Sequence, residues 1–480
     1  MADTTVQWDT QGAAQGAAPS QRRRTPPGPA GLPIVGIGPE IRRDPLAYLT
    51  SLAQRCGDVV HLNLGRQRVF LLNHPNHVAH VLQANYRNYR KSDFYDKVRP
   101  TFGDGLVTSE GDFWRRQRKL AQPAFHRERI EALAKVMTDA TGEMLRRWES
   151  TAAQDAAGGA TLDITTEMFR LTLDIVLRSL FGADLRDDFP KVAQSVATML
   201  EISERRMWAF VDLQDHLPTR NYWRTRHAVR TLDEVVYRII AERRRSGERR
   251  DDLLGMLLEA RDADTGEGMS DRQLRDEVTT LLVAGHETTA NALTWIWYLL
   301  SKHPQAARQV RAEIDTVCGG RMPNAEDARA LTYTKLVIQE AMRLYPPAWT
   351  ISRAAIEDDE IGGYAVPAGS PVMLCPYIIH RHTDYWENPE GFDPERFLPE
   401  RSVGRPKFAY FPFGGGPRIC IGNSFAMMEI PLVLAMAMRA YDLHLVPGHR
   451  VEPLPAISLR PKNGMIMSVR RRAAAAKQAA

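Results

Sequence analysis

From about Gly111 onward, apolar positions recur with a helical period for roughly two hundred residues. The clearest element opens at Ser270, which with Gln273 fits a capping box. Its apolar positions run through Leu274, Val278, Leu281 and Leu282 to Leu300, and Pro304 marks its end. That predicts a helix of about thirty residues, ~45 Å long at 1.5 Å per residue, which crosses the whole molecule. A second helix over Thr334–Leu344 stops at Pro346 and Pro347. Asp58–Asn63 and Arg68–Leu72, parted by Gly65, alternate or carry β-branched residues and read as a hairpin. Arg353–Val372 is strand-rich, with turns signalled at Gly362, Gly363 and Pro367. His380–Pro412 is irregular, and a last helix is expected just after Cys420, kinked or broken early by Pro431. The expected fold is mainly α, one large domain with small β-sheets and a long central helix.

Composition narrows the class. The chain has 480 residues, 44% hydrophobic and 25% charged, enough apolar material for a large core. A net charge of +5 over that length is too small to argue for nucleic acid. No run of about 18 apolar residues predicts a membrane span, and the N-terminus lacks the apolar stretch of a signal peptide, so a cytoplasmic setting is expected. Residues 1–25 read as a flexible tail, 26–469 as the domain, and 470–480, with Arg470, Arg471 and Arg472, as a basic tail. The four cysteines, Cys56, Cys318, Cys375 and Cys420, form no CxxC pair and no disulfide framework.

One of them stands apart. Cys420 lies in Phe413-Gly-Gly-Gly-Pro-Arg-Ile-Cys-Ile-Gly-Asn-Ser-Phe-Ala426, at the join between a glycine loop and a helix N-terminus. Glycines at 414, 415, 416 and 422 allow tight turns and close approach to something flat and large. The helix amides and Arg418 favour a thiolate there. A lone cysteine is more often structural, but this convergence points to a metal ligand.

The pattern resembles the cysteine-ligand loop of the cytochrome P-450 superfamily, Phe-x-x-Gly-x-Arg-x-Cys-x-Gly-x-x-x-Ala. Phe413, Gly416, Arg418, Cys420, Gly422 and Ala426 match at each fixed position. The resemblance implies haem b (iron protoporphyrin IX), with Cys420 as the axial thiolate on iron and the long helix passing over the haem. On that helix Ala284-Gly-His-Glu-Thr288 matches the family's Ala/Gly-Gly-x-Asp/Glu-Thr signature. Glu287 and Thr288 then look like the proton-relay pair, with Ala284 and Gly285 making room for oxygen and His286 at a variable position. Taken alone, a threonine returning its hydroxyl to the backbone and a glutamate paired with a neighbour explain the same residues. Glu340 and Arg343, with Arg396 of Pro-Glu-Arg-Phe397, match the family's buried structural triad. Trp114 and Arg118 match Trp-x-x-x-Arg, and with Arg353 and Arg418 they imply donors to the two haem propionates.

The resemblance spans about Pro26 to Val469 and implies a monooxygenase that inserts one atom of dioxygen into an apolar small molecule by hydroxylation or epoxidation. Electrons are expected from a ferredoxin and its reductase, or a flavodoxin, and a monomer is expected. Arg115, Arg116 and Lys119 are expected to form a basic face, either merely solvated or drawing an acidic electron donor. The pocket is expected to draw on Phe94–Val107, Met199–Phe210, Ala348–Ile351 and Arg460–Met465, with Phe94, Tyr95, Phe102, Met199, Trp208 and Trp349 favouring an apolar substrate. Arg205, Arg206 and Arg460 are expected at the surface, with a substrate carboxylate as the alternative partner. A non-catalytic gas-binding haem protein and a peroxide-using or isomerising relative are the alternatives, and neither needs the Glu287–Thr288 pair.

Overall fold

The computed structural model describes residues 24–32, 34–65, 67–152, 159–182, 188–207, 219–247 and 249–472. Most of residues 1–25, residues 473–480 and Trp208 lie outside them.

Five helices build the site, numbered here α1 (Gly111–Ala121), α2 (Ile164–Phe181), α3 (Asp271–Lys302), α4 (Thr332–Leu344) and α5 (Asn423–Ala440). The expected long helix is α3, 32 residues, and its capping box forms in both directions between Ser270 and Gln273. Nearly every side of α3 is buried, so it is the spine of the largest apolar cluster, with Leu274, Val278, Leu282, Leu293, Trp295 and Ile296 fully inside. A spine of that kind tolerates threonines because their hydroxyls bond the carbonyl four residues back: Thr288 to Ala284 at 2.8 Å, Thr289 to Gly285 at 3.0 Å, Thr294 to Ala290 at 2.8 Å. Trp295 stacks on Tyr345 at 4.0 Å, which ties α3 to the end of α4.

The main sheet has five strands, β1 (Val59–Leu64), β2 (Gln67–Leu72), β3 (Tyr89–Lys91), β4 (Ile351–Ala355) and β5 (Pro371–Leu374). Their order is β1-β2-β5-β4-β3, parallel only between β2 and β5. The expected hairpin is β1–β2, with Val59 opposite Leu72. Arg353 on β4 pairs with Lys91 on β3, which sets two cations side by side on one sheet.

Two expectations change. Residues Arg470 and Arg471 belong to the strand Ile466–Arg471, paired with Gly159–Asp163 and Tyr441–Leu445, so the ordered domain runs beyond Val469. The α5 helix is unbroken through Pro431, which is buried in its interior. The ring removes one backbone hydrogen bond but fills core space, and the surrounding packing holds the helix.

Candidate active site

Cys420 reaches its place through a stack of backbone bonds. Its amide donates to the Phe413 carbonyl at 3.0 Å, and the Ile419 amide donates to that of Gly416 at 3.1 Å. Gly416 has φ +63°, and a Cβ there would lie 1.7 Å from the Leu82 carbonyl oxygen. Only glycine lets the loop seat on that segment. Gly416 thus meets chain backbone, behind the residues that line the cavity. Gly422 does line the cavity, at φ −84°.

The loop is anchored from behind by α4. Arg343 Nε and Nη2 donate to the Glu340 carboxylate at 2.7 and 2.8 Å, and Arg396 Nε donates to the same carboxylate at 3.0 Å. All three are buried. Arg343 also donates to the carbonyls of His380, Pro389 and Gly391. His380 Nε2 in turn accepts from the Phe411 amide at 2.9 Å, two residues before Phe413. Helix α4 therefore holds the cysteine loop through one continuous polar chain.

Cys420 opens onto a cavity of about 350 Å³, within the size of cofactor and small-molecule sites. Leu281, Ala284, Gly285, Thr288, Thr289 and Ala292 of α3 form one wall. Phe413, Ile421, Phe425, Ala426 and Ile430 line the side that bears the sulfur. Ala284 is exposed although it sits mid-helix in the interior, because it faces this space. Burial pushes the Cys420 thiol up, against the Gly422 and Asn423 amides and Arg118, which pull toward thiolate. The helix start thus favours thiolate only in part, and a bound metal cation would deprotonate the sulfur outright.

Cations gather at one edge. Arg118, Arg353, Arg418 and Lys91 all line the cavity, with Trp114 and Tyr95. Arg418 lies over the Trp114 ring at 4.0 Å and pairs with Glu110. Burial pulls its guanidinium down to about 10, so it stays charged at neutral pH. Arg118 donates to the Ile419 carbonyl at 2.9 Å and to Gln122 at 3.0 Å. Arg353 donates to the Ser352 carbonyl at 2.9 Å. Lys91, which carries no motif signal, donates to the carbonyls of Leu106 and Ser109 at 2.8 and 3.3 Å. Burial and the neighbouring Arg418 pull its ammonium well below the usual range. Lys91, Arg118 and Arg353 bond neutral oxygens here, so this edge is built for an anion.

Glu287 and Thr288 diverge by one helix position. Thr288 lines the cavity; Glu287 is buried and accepts from Ser458 Oγ at 2.6 Å. Burial raises its carboxyl, Ser458 and Arg460 pull it back, and Glu204 pushes it up. His286 bonds the Leu282 carbonyl at 2.9 Å, and burial pulls it down to about 4, so it remains neutral and takes no ligand role.

Several pocket expectations are corrected. Tyr95, Leu106, Val107, Ala348 and Ile351 line the cavity, but Phe94, Phe102, Met199 and Trp349 do not. Phe102 and Met199 are core side chains, and Trp349 donates to the Ala456 carbonyl. Arg460 pairs with Glu204, and Arg206 is buried rather than at the surface. On α1 the basic face is engaged: Arg116 meets Glu267 at 3.3 Å and Asp262 at 3.8 Å, and Lys119 meets Asp264 at 2.9 Å, while Arg115 pairs with Asp112. An acidic loop before α3 therefore covers part of the face expected to meet an electron donor.

Comparison with known proteins settles the family. The Cytochrome P450 family model matches residues 26–467. The chain belongs to the cytochrome P450 family. Cyclooctatin synthase of Streptomyces melanosporofaciens is 39% identical over 90% of this chain and 92% of that protein. Cyclooctat-9-en-7-ol 5-monooxygenase of the same organism is 36% identical over 91% and 93%. Pentalenene oxygenase of Streptomyces avermitilis is 35% identical over 89% and 93%. As a cytochrome P450 the chain is an oxidoreductase of the oxygenase type, with a haem-iron cofactor and electrons from a redox partner. The donor set fits a haem: one cysteine sulfur opens on an apolar-walled cavity, and the cations at its edge suit two propionates. Among the described residues, no helix is long and apolar enough to cross a membrane.

Proposed function

We propose that this cytochrome P450 hydroxylates or epoxidises a cyclic terpenoid, using haem b held by Cys420 and electrons from a separate ferredoxin or flavodoxin in the cytoplasm. The observation that carries this reading is the meeting of Cys420, the under-partnered cations and the Ala284–Thr288 face of α3 in one apolar-walled cavity. The relatives support the substrate class, since their names include a cyclooctat-9-en-7-ol 5-monooxygenase and a pentalenene oxygenase.

Bound haem supplies the iron chemistry that activates dioxygen. The chain's part is to hold, exclude and transfer protons. Cys420 would hold the iron through its thiolate, and the Gly422 and Asn423 amides bond its sulfur and would temper its electron donation. Lys91, Arg118, Arg353 and Arg418 would hold the propionates, whose negative charge favours the charged form of Lys91 against its burial. The aliphatic wall of α2 and α3, with Val176, Leu180 and Leu281, turns water away from the reacting centre. Thr288 already spends its hydroxyl hydrogen on the Ala284 carbonyl, so its oxygen can hold a proton donor on the cavity side. Glu287, raised by burial, supplies and recovers the proton. The basic face of α1 receives an acidic electron donor, in competition with Asp264 and Glu267.

Turnover of the haem-loaded chain under isotopically labelled dioxygen, with a panel of cyclic terpenes and a ferredoxin–reductase pair, tests the reading. A product bearing one labelled oxygen atom is expected. Label drawn only from water, or no oxygenated product from the panel, would overturn it.

A further inference from the structure

Glu287 does not stand alone behind Thr288. Asn291, one turn on along α3, donates through Nδ2 to Ser458 Oγ at 2.7 Å, and Ser458 Oγ donates to Glu287 Oε1 at 2.6 Å. All three side chains are buried. The order of this short chain follows from Asn291 presenting its Nδ2 to Ser458. An amide NH2 can only donate, so it occupies a lone pair of the serine oxygen, and the single serine hydrogen is left for Glu287. The turn that carries Ser458 is itself pinned: Trp295 Nε1 donates to the Leu459 carbonyl at 3.0 Å, Trp349 Nε1 to the Ala456 carbonyl at 2.8 Å, and the Leu459 amide to the Pro347 carbonyl at 2.9 Å. Ser458 therefore cannot easily follow Glu287 if that side chain turns away.

We infer that Ser458 is a positioning residue for Glu287, whose one-way hydrogen bond holds the carboxyl in a single rotamer and keeps Oε1 an acceptor, so that the exchangeable proton is carried on Oε2. This rests on the reading of Glu287 as the proton carrier. The bond also has a sign. A hydroxyl donates more strongly to a carboxylate than to a carboxylic acid, so it favours the ionised form. Burial pushes Glu287 toward its protonated form, and an acid held protonated cannot hand its proton on. Ser458 opposes that, and the other charged groups facing Glu287, Arg460 and Glu204, are joined as an ion pair at 2.7 Å and pull in opposite senses. Ser458 is thus the neutral contact that tilts the balance.

The test is the titration of the Glu287 carboxyl in the haem-loaded protein, followed by infrared difference spectroscopy, with Glu287→Gln identifying the band. In Ser458→Ala the protonated band is expected to persist upward by about one pH unit, the size of one lost hydrogen bond to a charged group. The isosteric pair Ser458→Thr and Ser458→Val provides the same contrast should the alanine variant fold poorly: threonine keeps the wild-type midpoint and valine shifts it up. An unchanged midpoint without the hydroxyl would overturn the inference. So would a downward shift, which would mean that Ser458 accepts from a protonated Glu287. Solvent deuterium effects on oxygen consumption by the same variants, driven by a ferredoxin–reductase pair, separate the two claims. A shifted carboxyl with unchanged oxygen consumption would keep Ser458's hold on Glu287 and remove the relay role of Glu287 itself.

Discussion

Glu277 shows how a single buried carboxyl reports on this interior. It accepts from the Leu106 amide at 3.1 Å, and burial pushes it up to about 8. The folded protein therefore keeps a proton that the unfolded chain releases from the ordinary carboxylate range upward. Stability must fall as pH rises from about 4.5 to about 8 through this group. Glu277→Gln mimics the protonated form and removes that slope. Its melting temperature relative to wild type should rise between pH 5 and pH 8.5, and a constant difference would place the proton elsewhere. Residues of this scale divide sharply by legibility. Cys420, Arg418, Trp114, Arg118 and Thr288 are readable because their motifs are local in the chain. Lys91, Glu110 and Ser458 are not, because their meaning comes from contacts across long separations: Ser458 meets Glu287 171 residues away, and Arg418 meets Glu110 at 308. The partner of Gly416 is hidden for the same reason, since the backbone it accommodates belongs to Leu82.

At the scale of elements, α4 does more for the site than its distance from the cavity suggests. Glu340 is the shared acceptor of Arg343 and Arg396, and among the described residues it is the carboxylate that both cations meet. Glu340→Gln leaves two buried guanidinium groups without a counter-charge. A loss on the order of 3–5 kcal/mol is expected. It should appear as a lower urea midpoint together with reduced haem retention, because the His380–Phe411 bond carries the disturbance to the cysteine loop. A normal midpoint with full haem retention would show that α4 does not support the loop. Helix α3 was readable in advance because its capping box and apolar period lie within one segment. The Arg470–Arg471 extension was not, since a basic run becomes strand only when Asp442 and Tyr441 supply its ladder partners.

The whole molecule is a helical body built around α3, with the main sheet bringing Lys91 and Arg353 to the edge of the cavity. Its family and chemistry were legible from a few spaced motifs; its substrate wall was not. Half-right pocket segments, in which Tyr95 lines the cavity and Phe102 joins the core, reflect side-chain directions that sequence spacing leaves open. The acidic loop over α1 is likewise a property of assembly, since Asp264 and Glu267 lie far along the chain from Lys119 and Arg116. The central claim concerns one sulfur. The difference spectrum of the reduced, haem-loaded chain with and without carbon monoxide should show the red-shifted Soret band of a thiolate ligand, and Cys420→His should abolish that shift while haem is still bound. An unshifted band in the wild-type protein, or a shifted band that survives in Cys420→His, would contradict it.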